Sequence, residues 1–300
     1  MNDQLRRYSA VGLVFAIAGV LCFSLRPILI KLAYAWSQDP VTLLALRMAF
    51  AAPFFVGVAF WSGRSGANEP IGRRDVMLVI GLGLLSYYAA SFLDFLALQY
   101  ISAGLGRLVL FLYPTIVVVL SALFLARPMT ARELVALLLT YAGLALVLLH
   151  RVSASRNVWY GVALAMGSSV CYAVYLVAGA QVIARVGSLR FSAYAMVAAT
   201  IACLLQFVVL RPFDALVVPV QVFGYAAVMA VVSTVVPVFL TAEALRRVGA
   251  NTVAIVGALG PVSTIFLGWL GLEEVMTPIQ LAGVGLVLAG VLAVSLKPGR

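Results

Sequence analysis

Apolar residues run along this chain in long unbroken blocks, bounded by charged residues, Pro or Gly. The blocks fall at about 10–34, 41–62, 76–99, 103–125, 131–150, 158–183, 190–210, 221–245, 251–272 and 277–296. Each has the ~20 residues that a helix needs to cross the ~30 Å hydrocarbon core of a bilayer. Barrel strands would instead alternate over about ten residues. The pattern predicts an all-α integral membrane protein with ten transmembrane helices.

Composition agrees, with 64% hydrophobic and 10% charged residues. Soluble domains carry roughly 45–50% apolar and 25% charged residues, so a water-soluble fold is excluded. The N-terminal apolar block continues past the weak A-x-A of Ala16 and Ala18, which reads as an uncleaved first span.

The net charge of +10 is a topology signal. With the N-terminus placed inside, the inner segments collect Arg6, Arg7, Arg64, Arg73, Arg74, Arg127, Arg132, Arg185, Arg190, Arg246, Arg247, Lys297 and Arg300. The outer ones hold only Arg151, Arg156 and Arg211. By the positive-inside rule both termini are expected in the cytoplasm of a multi-pass plasma-membrane protein, of the bacterial inner-membrane kind. Basic residues spread between apolar runs do not form the soluble basic face that nucleic acid requires.

The chain also repeats itself. An offset of 147 lays Ala103–Val147 over Ala250–Val294 without a gap, aligning Pro114 with Pro261, Met129-Thr130 with Met276-Thr277 and Gly143 with Gly290. The same offset pairs Phe92, Ala97 and Leu98 with Phe239, Ala244 and Leu245, and an offset of 149 pairs Gly12, Ala16 and Cys22 with Gly161, Ala165 and Cys171. Residues 1–150 and 151–300 thus read as two five-helix repeats. Five is odd, so the second would enter the membrane upside down, as in many secondary transporters with a site between the halves.

Four stretches carry a family resemblance: SLRPILIKLAY with PVTLLALRMAF, LDFLALQYISAG, LFLYPTIVVVLSALFLARPMT, and LGPVSTIFLGWLGLEEVMTPIQLAG. They resemble the EamA-type branch of the drug/metabolite transporter superfamily. The resemblance implies a ten-helix bundle with a central cavity, alternating access without an ATP-binding part, no cofactor, and a small metabolite as cargo, often moved outward. It also implies an acidic residue just before the Arg of the fourth span, where this chain has Gly106 before Arg107, and a lysine in the first span, matched by Lys31.

Ionisable residues lie within the spans, among them Arg26, Lys31, Arg47, Asp94, Arg107 and Glu243. A charge at the bilayer centre costs roughly 2.5–3.5 kcal/mol on insertion scales, so each needs a partner, water or a route to the interface. Two readings stand. In one, Asp94 pairs with Arg47 or Arg107 and ties spans two, three and four together. In the other, Arg26 and Arg107 line the cavity and attract a carboxylate or phosphate while Asp94 orients one of them. Lys31, near a helix end, can snorkel. Glu243 has Arg247 four residues on, a local ion pair, or serves an inner gate or coupling site.

Tyr87, Ser91 and Asp94 share one helical face, as do Ser168, Tyr172 and Tyr175. These are cavity lining or helix–helix hydrogen bonding. Pro27, Pro114, Pro237 and Pro261 are expected helix bends, and Gly257, Gly260, Gly283 and Gly285 are candidate close contacts between helices. Cys22, Cys171 and Cys203 sit in apolar stretches and read as packing residues, and His150 alone supports neither metal nor triad chemistry. The expectation is therefore a non-enzymatic exporter or exchanger of an amino-acid-like or other organic anion. Its partners would be a small solute and the lipid bilayer, with the oligomeric state open. The rival class, a membrane enzyme acting on a lipid-linked substrate, would need a catalytic set that the sequence does not display.

Overall fold

Because the long apolar blocks must satisfy their own backbone hydrogen bonds, they fold as helices. A computed structural model of the chain describes residues 2–64, 71–124, 130–149, 156–257 and 259–295. The first half contains α1 (Asn2–Ser24), α2 (Arg26–Tyr34), α3 (Pro40–Arg64), α4 (Arg73–Gly83), α5 (Ala90–Ala97), α6 (Ala103–Leu110), α7 (Tyr113–Phe124) and α8 (Ala131–Leu149). The second contains α9 (Arg156–Val186), α10 (Ser188–Leu210), α11 (Val220–Ala230), α12 (Val236–Gly257), α13 (Leu259–Leu272) and α14 (Pro278–Ser295).

Among the described residues, seven continuous or broken rods are long and apolar enough to cross a membrane. Three shorter apolar helices join them: Leu134–Val147, Leu259–Leu272 and Pro278–Ala293. The outer surface bears exposed Phe54, Trp61, Leu205 and Val209, while Arg26, Arg47, Asp94 and Arg107 are buried inside. This inversion of a soluble protein's surface marks a multi-pass membrane protein.

Three of the breaks fall beside a proline, although Pro53 lies inside the unbroken α3. Pro27 sits in the first turn of α2, just past the break at Leu25, where its missing N–H costs no internal bond. Pro114 follows the break at Phe111–Leu112, and the buried Pro261 stands in the first turn of α13. Pro237 does not interrupt its rod. It follows a π-helical segment, Val231–Val235, that joins α11 to α12. A second π-helical segment, Leu84–Ala89, joins α4 to α5, 147 residues earlier. Ser86 and Ser233 are equivalent under this offset. Ser233 and Thr234 hydroxyls donate to the Met229 carbonyl at 2.9 and 3.0 Å, whereas the buried Ser86 hydroxyl has no partner.

One expected boundary is corrected. The reading of separate spans at 221–245 and 251–272 implied a loop near 246–250, but α12 continues through it to Gly257. The Gly and polar residues there do not stop a helix without a Pro to remove its N–H groups.

Close contacts recur with the sequence offsets. A Cβ on Gly12 would fall 2.6 Å from Arg247 Cβ, and one on Gly161 would fall 2.8 Å from Tyr100 Cβ, so α1 meets α12 as α9 meets the end of the α4–α5 rod. Gly143 lies against the Gly283 carbonyl, where a Cβ would approach to 2.6 Å, and Gly290 lies against the Ala136 carbonyl, also at 2.6 Å. Helices α8 and α14 therefore pack antiparallel, backbone against backbone, with each half supplying the same positions. Gly283 is thus a close contact as expected. Gly257 and Gly285 are not, since nothing lies within 4 Å of a Cβ at either.

Candidate solute site

Arg26 opens α2, immediately after the break at Leu25, and reaches across to α5. Its Nη2 donates to Asp94 Oδ2 at 2.7 Å, with both side chains buried. Asp94 therefore pairs with Arg26. The expectation that it pairs with Arg47 or Arg107 is corrected, because the first turn of α2 brings the Arg26 guanidinium within 2.7 Å of its carboxylate.

The Phe23 ring, on the last turn of α1, faces two guanidinium groups. Arg26 Cζ lies 4.6 Å and Arg107 Cζ 4.7 Å from its centroid. Each contact is worth about 2 kcal/mol when desolvated. Arg107 Nη2 also lies 3.1 Å from where a Gly260 Cβ would stand, so the glycine before Pro261 makes room for it. In this way α1, α2, α5, α6 and α13 meet at one point, and Ser24 strengthens the junction. Its hydroxyl, 2.7 Å from the Val20 carbonyl of its own helix, also lies 3.2 Å from the Gly260 carbonyl, and the Thr264 hydroxyl donates to the Ser24 carbonyl at 3.2 Å.

Arg47, on α3, is 2% exposed, so its guanidinium does not snorkel to an interface. It lies 5.0 Å from the Phe95 ring and donates to Met48 Sδ at 3.4 Å. The Nε atoms of Arg26, Arg47 and Arg107 are all buried without a hydrogen-bond partner. Arg47 and Arg107 each lie within electrostatic reach of both Arg26 and Asp94. Arg26 thus pairs with Asp94, and two more buried arginines lie in the same neighbourhood.

Beside Arg107 runs a file of tyrosines. Tyr113 meets Tyr172 at 4.9 Å, Tyr172 stacks on Tyr175 at 5.8 Å, and the Tyr175 and Tyr87 hydroxyls lie 3.1 Å apart. Tyr87, Tyr113 and Tyr172 sit deep in the bundle yet keep partial accessibility, as cavity-lining side chains do. The π-helical turn alters the expected face of Tyr87, Ser91 and Asp94. Tyr87 joins the tyrosines, Asp94 joins the arginines, and Ser91 is buried one turn before Asp94. Ser168 serves helix packing, its hydroxyl donating to the Ala90 carbonyl at 2.7 Å.

The remaining candidates lie apart. Lys31 is half-buried in the last turn of α2. Glu243 accepts from Arg247 Nε at 2.6 Å, the i,i+4 pair that the spacing implied, and Arg247 lies 5.3 Å from the Phe15 ring of α1. Cys22, Cys171 and Cys203 are free thiols among packed residues. His150, Arg127, Arg151, Lys297 and Arg300 lie outside the described residues.

The sequence reading missed two residues. Phe23 was one more apolar residue in an apolar run, although its place three residues before Arg26 was a signal. Glu274, in the turn between α13 and α14, accepts from the Ala103 and Gly104 N–H groups at 2.9 and 3.3 Å. It caps α6, the helix that carries Arg107.

A membrane-embedded bundle of two like halves, with charged and aromatic side chains gathered at broken helices in its interior, defines a solute-transporter architecture. The chain matches the EamA-like transporter family twice, over residues 10–149 and 159–296, and it belongs to that family. It is 31% identical to the uncharacterized transporter YcbK of Bacillus subtilis, over 98% of this chain and 96% of that one. It is 27% identical to the threonine/homoserine exporter RhtA of Escherichia coli K12, over 70% of this chain and 66% of that one. A solved crystal structure shares the fold, with a TM-score of 0.63 at 19% identity over 95% of this chain and 96% of that chain.

Proposed function

We propose that this chain is a secondary exporter or exchanger of a small organic anion or amino-acid-like metabolite, working by alternating access between two inverted repeats, residues 1–150 and 151–300. In this reading all ten apolar rods cross a bacterial inner membrane and both termini are cytoplasmic. One observation carries the substrate class: Arg26, Arg47 and Arg107 are buried near a single carboxylate, Asp94, and present unpartnered Nε donors. Such a surplus of buried positive charge is costly unless an anion completes it. Arg26 and Arg107, sharing Phe23, would hold the carboxylate, and Tyr87, Tyr172 and Tyr175 would line the path of the rest of the solute. The RhtA likeness supports outward movement and an amino acid as cargo.

The test is counterflow in proteoliposomes with radiolabelled L-threonine and L-homoserine. Arg26→Gln and Arg107→Gln are expected to raise the half-saturating concentration at least tenfold, since a charged hydrogen bond contributes about 1.5–3 kcal/mol. Unchanged apparent affinity in both variants would remove the anion site.

A further inference from the structure

The first turn of α6 has four N–H groups with no partner inside the helix. Three of them find acceptors outside the helical ladder. Leu105 N–H donates to the Ser102 hydroxyl at 3.2 Å, while Gly106 N–H makes the first ordinary helical bond, to the Ser102 carbonyl at 2.9 Å. Ala103 and Gly104 donate to Glu274, which belongs to the other half of the chain. The turn that presents Glu274 is shaped for the contact. Glu273 takes a left-handed φ of 54°, Glu274 N–H donates to the Gly268 carbonyl at 3.1 Å, and a Cβ on Gly268 would lie 3.2 Å from Glu274 Oε2.

Among the described residues the repeat shows no second copy of this arrangement. At the offset of 147, Glu274 corresponds to Arg127, a cation unsuited to the positive end of a helix. The counterpart of the α6 start, Ala250, lies within the uninterrupted α12. Where the carboxylate is absent, the helix start is absent too.

We infer that Glu274 is a latch between the two halves. It closes the end of the bundle where α6 begins and positions Arg107, one turn further along α6. The inference rests on the alternating-access reading, because the halves must part at this end for the site to open there. Parting then requires water to replace Glu274 on two N–H groups that have no other acceptor, which makes the contact a closed-state bond.

The test is a distance measurement between spin labels in nanodiscs, in full-length protein whose three cysteines are replaced by alanine. Labels at Trp36→Cys and Val275→Cys, both exposed, report separation at the latched end. Labels at Met77→Cys and Ser188→Cys report the opposite end. Glu274→Ala is expected to add a longer-distance population at the latched end alone, on the order of tenfold above its level in the parent. Glu274→Gln, which keeps one acceptor, should give an intermediate population, and Glu273→Gln none. An unchanged distribution in Glu274→Ala, or equal lengthening at both ends, would overturn the latch. Failure of threonine counterflow would bear on the transport reading and leave these distances informative.

Discussion

Replacing Asp94 by Asn keeps the shape of the side chain and removes the one carboxylate among Arg26, Arg47 and Arg107. The Arg26–Asp94 contact is 2.7 Å between side chains only 9% and 5% exposed, so solvent screens it little. Two unit charges whose centres are about 4 Å apart attract by about 4 kcal/mol at an effective dielectric of about 20. Losing one member of a buried pair generally costs 3–5 kcal/mol, because the other charge stays behind unpaired. Asp94→Asn should therefore be destabilised by about 3 kcal/mol or more, measured by reversible denaturant titration in mixed micelles. Adding Arg26→Gln to it removes the stranded charge, and the double variant should regain at least 1 kcal/mol. A loss below about 1 kcal/mol in Asp94→Asn, or a double variant less stable than Asp94→Asn, would refute the claim that Asp94 offsets the buried charge of Arg26.

Two further outcomes follow from the packing and from the loop charges. Gly290→Val should abolish the monodisperse peak in size-exclusion chromatography, because a Cβ there would run into Thr140 Oγ1 and fall 2.6 Å from the Ala136 carbonyl, while Gly285→Ala should elute unchanged. At the loop ends, burial alone would raise the Asp39 carboxyl, but hydrogen bonds from Arg211 at 2.8 and 2.9 Å and from Thr42 hold it below its ordinary value of 3.8. A carboxyl depressed by folding stabilises above its unfolded value and loses that stabilisation as pH falls through the folded one. Melting temperature should accordingly drop more steeply below about pH 4 in the parent than in Asp39→Asn, and parallel curves would contradict this.

How far the sequence could be read depended on which residues carried the information. The repeat was legible because Pro114 and Pro261, and Gly143 and Gly290, are rare marks in a background of interchangeable Leu and Val. The same glycines then reappear as backbone contacts between α8 and α14. The gathering of Arg26, Asp94 and Arg107 was legible from the cost of buried charge together with the expected topology, which puts them in the same half of the membrane. Which arginine Asp94 would choose was not, because that choice depends on the direction α2 takes after Leu25, a tertiary matter. The π-helical segments were hidden because no proline or glycine in Leu84–Ala89 demands one. Glu274 was hidden because a cap donated by a distant turn leaves no local pattern at α6, although comparison with Arg127 under the offset would have set it apart.

The π-helical turns have a consequence for the frame of everything beyond them. Such a turn holds one residue more than an α-helix would need, and one residue is about 100° of rotation about the axis. The turn at Leu84–Ala89 thus fixes the azimuth at which Asp94 leaves its rod, and the turn at Val231–Val235 does the same for α12, which carries Glu243 and Arg247. Deleting a single residue from either segment would leave an apolar helix as long and as regular as before. It would aim its charges about a quarter-turn away from the side chains they now meet.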